Sequence, residues 1–225
     1  VNKFSIDASS EKVINFEEAF SETPAVFVSQ VITDIGINKR KIGMIEVSPT
    51  SFSITNSSVD VASGNYIASK TGVFNVDTAS KKIVVGSGEN NGATGYVQIT
   101  FPIEFNVTPS VVVQLQKPDE ANGESRFCET IVKNVSKTGF RFVGFQPDGS
   151  NPAGTGAYAY IAATPGTFNV LSSALLQTGC LNYGASISGG ADTFTFNDHT
   201  VLDNINKNSN SDFEYNYNQS AILAQ

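Results

Sequence analysis

An all-β protein built from two tandem antiparallel β-sandwich domains is what this sequence predicts, and three observations carry the prediction. Lone apolar residues alternate with Ser, Thr, Asn and Gly instead of recurring at helical spacing, as at Val26 and Val28 or Val111 and Val113. The aromatic content is 16 Phe and 7 Tyr with no Trp, inside a hydrophobic fraction of 40%. The third observation is that the chain resembles itself. A chain of this size buries about 70% of the surface its extended form exposes, enough for one large core or two ordinary ones.

The internal resemblance is ordered. The run from Val13 to Val28 lines up with the run from Gln98 to Val113, an offset of 85 residues that sets Phe16 on Phe101, Phe20 on Phe105 and Thr23-Pro24 on Thr108-Pro109. Further on, Tyr66-Ile67-Ala68 followed by Gly72-Val73-Phe74-Asn75-Val76 matches Tyr160-Ile161-Ala162 followed by Gly166-Thr167-Phe168-Asn169-Val170 at an offset of 94. A longer loop in the second copy accounts for the change of offset. Chance supplies single matches of this kind but not an ordered set, so the chain reads as a duplication.

Taken in order, the first copy offers strands at Lys12 to Phe16, Ala25 to Thr33, Lys41 to Ser48, Ser51 to Thr55 and Gly64 to Lys70. The second offers Tyr96 to Phe101, Ser110 to Lys117, Arg126 to Asn134, Phe140 to Phe145 and Ala157 to Ala163. Pro24 and Pro109 stand just ahead of the second strand of each copy, where no ladder hydrogen bond is lost. In Lys137-Thr138-Gly139 the glycine suits a tight reversal. Between the copies, Lys81-Lys82-Ile83-Val84-Val85 reads as a strand and the run from Gly86 to Gly92 as a flexible turn. The expected organisation is therefore 1–80 as the first copy, 81–95 as a linking strand and Gly/Asn turn, 96–180 as the second copy, and 181–225 as a terminal strand and polar extension.

Charge excludes several classes. Only 16% of residues are charged and the net charge is −7, so a phosphate-binding basic face cannot be drawn and nucleic acid is not an expected partner. The densest positive group, Lys39-Arg40-Lys41, reads as a solvated loop or edge strand. No apolar run reaches the length of a membrane-spanning helix. The chain opens on Val1 without a signal-like segment, as a processed or excised product would. Four Asn-x-Ser/Thr triplets, at Asn56, Asn106, Asn134 and Asn218, permit an extracellular setting, secreted, surface-attached or within a virion. Cys128 and Cys180 fit either one disulfide or two buried thiols.

Catalysis finds little to work with. His199, the single histidine, lies in the polar Asn197-Asp198-His199-Thr200 stretch, where neither a nucleophile elbow nor paired metal ligands accompany it. The glycine pairs lack the context of a phosphate loop, and Glu17-Glu18 are adjacent turn residues facing differently. No enzyme, metal or cofactor is expected. What remains are polar loops on a rigid scaffold, which suit recognition. Asp34, Asn38 and Arg40 in the first copy, and Asp119, Asn122 and Arg126 in the second, combine acceptors for sugar hydroxyls with a rigid donor fork. The bland reading of Asp119 and Asn122 is that they shape the turn from Pro118 to Gly123.

In the second copy, Phe101, Phe105 and Pro109 precede an apolar strand, an Asp/Asn loop and an Arg follow, then Asn134-Val135-Ser136-Lys137-Thr138-Gly139-Phe140 and Tyr160-Ile161-Ala162. This succession resembles the H-type lectin domain of snail agglutinins and discoidin C-termini, over about Val97 to Ala163 and more weakly over Val13 to Ala68. The resemblance implies a six-stranded antiparallel sandwich that trimerises and binds N-acetylgalactosamine or galactose in clefts between protomers. It places ligand positions on or near Asp119 and Arg126, and a sugar-contacting aromatic within Phe145-Gln146-Pro147-Asp148, so that Phe145 and Asp148 join Asn122 as candidates. The family carries Trp there and again where Tyr160 stands, and this chain has none. The first copy departs further, with Pro49-Thr50-Ser51 in place of Lys-Thr-Gly. Two functions follow: a glycan-binding or adhesive module, or a structural subunit of a filament, sheath, surface appendage or virion fibre. Low charge and β-forming edges favour a homo-oligomer in either case.

Overall fold

The computed structural model describes residues 2–31, 42–56, 61–75, 81–91, 96–118, 129–145, 155–171 and 174–178. These residues form strand after strand: β1 (Asn2–Ile6), β2 (Ser10–Asn15), β3 (Ala25–Val31), β4 (Ile42–Val47), β5 (Ser51–Asn56) and β6 (Ala62–Ser69). After β7 (Gly72–Asn75) come β8 (Lys82–Asn91), β9 (Val97–Thr100), β10 (Ser110–Pro118), β11 (Glu129–Lys133), β12 (Gly139–Phe145) and β13 (Thr155–Ala163), then β14 (Gly166–Leu171) and β15 (Ala174–Thr178). Every pairing is antiparallel, as the alternation of apolar and polar residues predicts.

The strand orders of the two halves correspond. In the first half the sheets run β1-β6-β3 and β2-β5-β4; in the second they run β8-β13-β10 and β9-β12-β11, with β7 added beyond β8. Replacing β1 by β8, and so on to β6 by β13, turns one pair of orders into the other. Each pair of sheets supplies one apolar cluster. Phe4, Ile6, Val26, Met44, Phe52, Ile54, Ala62 and Tyr66 pack in the first half. In the second, Phe101, Phe105, Phe140, Phe142, Tyr158 and Tyr160 pack with Val84, Ile99 and the inward valines of β10.

Local geometry repeats as well. The rings of Phe16 and Phe20 meet edge-on at 5.1 Å, and so do those of Phe101 and Phe105. Phe16 N–H donates to the Thr50 carbonyl and Phe20 N–H to that of Pro49 (2.9 and 2.8 Å); Phe101 and Phe105 make the same bonds to Thr138 and Lys137 (2.8 and 2.9 Å). Ser48 and Ser136 close their turns identically, each N–H donating to a carbonyl three residues on, Ser51 or Gly139, at 2.8 Å. Pro49-Thr50-Ser51 thus builds the same reversal as Lys137-Thr138-Gly139. Burial differs: Phe101 and Phe105 are buried whereas Phe16 and Phe20 are only half-buried. Ile103 packs against the second cluster, and its counterpart 85 residues earlier, Glu18, is exposed.

One glycine reading needs correction. The run from Gly86 is strand, not turn, because β8 continues through Gly88 to Asn91 opposite β13. Its glycines are required by close approach: a Cβ on Gly86 would collide with the Tyr160 ring, and one on Gly88 with the Tyr158 ring. Gly139 belongs to β12, and what forbids a side chain there is the Ile99 carbonyl of β9, not a left-handed backbone. The left-handed residue before this turn is Asn134, with φ of 52°.

The halves meet along a third apolar cluster. Ala25 and Phe27 of β3 pack with Val85 and Ala159, flanked by Phe74, Ile83, Val112 and Ile161. Beside it, side-chain amides of β10 reach the main chain of β3. Val26 N–H donates to Gln116 Oε1 (2.8 Å), Gln116 Nε2 donates to the Val26 carbonyl (2.6 Å), and Val28 N–H donates to Gln114 Oε1 (3.0 Å).

Candidate functional site

The strand registers determine where the polar loops are anchored. Pro118 at the end of β10 pairs with Gly156 near the start of β13, and Thr155 pairs with Asn91 at the end of β8. In the facing sheet Glu129, which starts β11, pairs with Phe145, which ends β12. The anchors of segments 92–95, 119–128 and 146–154 therefore lie together at one end of the second half. In the first half Ile6 pairs with Ala62, Val31 with Ser63, and Ile42 with Asn56, so segments 32–41 and 57–60 start from the corresponding end. The antiparallel topology alone does this, since it returns alternate connections to one end of the strands.

Asp119, Asn122, Arg126 and Asp148, with the weaker candidates Asp34, Asn38 and Arg40, lie outside the described residues, as do Cys128, Cys180 and His199. Phe145 closes β12 opposite Glu129. Its neighbours Phe140 and Phe142 belong to the core.

A polar row that the sequence reading did not single out crosses the outer face of the β9-β12-β11 sheet. Gln98, Arg141 and Lys133 are successive cross-strand partners. Arg141 Nε donates to Gln98 Oε1 at 2.7 Å, and Gln98 Nε2 donates to the Phe140 carbonyl at 3.1 Å. The Lys133 ammonium stands 5.2 Å from the centre of the exposed Tyr96 ring, a cation–π distance. The alternation of exposed Gln98 and Arg141 with buried Ile99, Phe140 and Phe142 was the available signal.

Among the described residues no group of three or more His, Cys, Asp or Glu could hold a metal ion. No helix among them is long and apolar enough to cross a membrane. Among the described residues the perturbed ionisable groups are core tyrosines: burial raises the pKa of Tyr158, and burial followed by repulsion from Tyr158 raises that of Tyr160. Both rings lie against glycines of β8, so their hydroxyls report packing instead of a reactive site. No curated protein and no solved structure matches the chain. Residues 96–162 match the family model of the H-type lectin domain, and a domain of that family is thus present in this chain, running from the approach to β9 to near the end of β13.

Proposed function

We propose that the protein is a non-catalytic extracellular recognition module made of two tandem H-type lectin-like sandwiches, 1–80 and 96–180, the second completed by β8 from segment 81–95, whose second copy binds glycan. The observation that carries this reading is the match of residues 96–162 to the H-type lectin domain. The correspondence of strand order between β1–β6 and β8–β13 supports extending the family plan to the first copy. The sugar site we assign to Asp119, Asn122, Arg126, Phe145 and Asp148, because their segments leave from one end of the second half. Carboxylate and amide groups accept from hexose hydroxyls, a guanidinium donates in a fixed fork, and an aromatic ring covers a C–H face. N-acetylgalactosamine and galactose are the first ligands to try. Asp34, Asn38 and Arg40 make a weaker second site.

The alternative is a structural subunit of a filament, sheath, surface appendage or virion fibre. The bonded junction between the halves favours it, since side-chain amides fasten β10 to β3 as a rigid filament subunit requires. A glycan array followed by calorimetry with N-acetylgalactosamine and galactose on the assembled protein separates the two. Saturable binding supports the lectin reading, and failure to bind any sugar on the array gives precedence to the structural one.

A further inference from the structure

The edge of β3 poses a problem that the second half solves. Among the described strands β3 ends its sheet, so the N–H and carbonyl groups of alternate residues point away from β6 with no described strand to receive them. Such an edge is a template for adding a strand from another molecule. Val26 is fully buried, so its outward peptide groups cannot turn to water instead.

We propose that Gln114 and Gln116 act as a side-chain substitute for a neighbouring strand, closing the β3 edge against a second copy of this chain. Gln116 is the extra residue of a β-bulge: Leu115 pairs with Tyr158 and Lys117 with Ala157, leaving Gln116 without a partner in β13. A bulge re-aims the side chain it carries, and here the amide makes both bonds to the Val26 main chain that a strand would make, at 2.8 and 2.6 Å. Gln114 supplies the next one, from Val28 N–H at 3.0 Å. Gln116 is only 5% exposed, a costly place for an amide unless its hydrogen bonds are made.

The device has no counterpart at the matching described positions of the first half. At the positions 85 residues earlier the chain has Ser29 and Val31, and β3 pairs with β6 there without a bulge. The first half therefore carries no amide at the positions equivalent to Gln114 and Gln116, and the clamp does not propagate from chain to chain.

Hydrogen exchange on the full chain, with sedimentation velocity, tests the proposal independently of sugar binding. In the wild type, the Val26 and Val28 amides should exchange at least tenfold more slowly than exposed peptides despite their place on a sheet edge. In Gln114→Leu/Gln116→Leu those two amides should exchange at least tenfold faster while Phe27, whose N–H faces β6, keeps its rate. The same variant should associate with rising concentration beyond the wild-type state. Gln116→Glu, of the same length, gives a milder version: its carboxylate still accepts from Val26 but donates to the carbonyl only when protonated, so association should fall as pH is lowered. Unprotected Val26 and Val28 amides in the wild type would overturn the proposal. So would a folded variant that sediments like the wild type.

Discussion

Phe4 and Gly64 face each other across the β1–β6 ladder, and the Phe4 ring occupies the space where a Cβ on Gly64 would stand. The equivalent pair in the second half is Gly88 on β8 and Tyr158 on β13, again directly opposed and again a ring over a glycine, with the two residue types exchanged between the strands. Each core receives one ring from this position; only the donor strand differs. Conserved volume with exchanged donors is what close packing demands, because an interior at crystal-like density accepts neither two rings nor none.

Gly88→Ala and Gly64→Ala should each therefore destabilise the protein by about 1–3 kcal/mol through overpacking. Gly64 is the more severe case, since its new methyl would also press on the Ser29 carbonyl. The exchange Gly88→Phe/Tyr158→Gly should recover most of the loss of Tyr158→Gly alone. Denaturant midpoints with unchanged slopes measure this.

Phe101→Ala should cost about 3–5 kcal/mol, the range for truncating a buried Phe. Phe16→Ala should cost distinctly less, because Phe16 is half-buried beside the exposed Glu18. Equal losses at the two positions in chemical unfolding would contradict the burial difference.

Alkaline pH should loosen the second core. The hydroxyls of Tyr158 and Tyr160 are held protonated by burial above their ordinary value of 10.0. The unfolded chain therefore loses these protons first. Their contribution is fully present below about pH 10 and is lost as pH rises through the higher folded values. Tyr158→Phe/Tyr160→Phe should flatten the fall of melting temperature above pH 10, read in parallel thermal melts.

If the second copy binds sugar as proposed, Asp119→Ala or Arg126→Ala should each weaken it by about 1.5–3 kcal/mol, the range for a charged hydrogen bond. Asp34→Ala should have a smaller effect. Calorimetry on the assembled protein reads both, with circular dichroism confirming that the folds are unchanged.

Alternating valines, prolines ahead of β3 and β10, and the paired phenylalanines determined the all-β class, the starts of those strands and the correspondence of the halves. Period-two patterning and fixed φ are local properties, so they are legible without a fold. β1 and the glycine-bearing end of β8 were not legible. A glycine is tolerated in a strand when a ring from the neighbouring strand fills its place, and Tyr158 stands 70 residues from Gly88. The register likewise decided that the anchors of the candidate loops share one end. The join between the halves was the least visible feature. Gln114 and Gln116 look like ordinary polar positions until a bulge re-aims one of them and a distant strand edge supplies the peptide groups that an amide alone can satisfy.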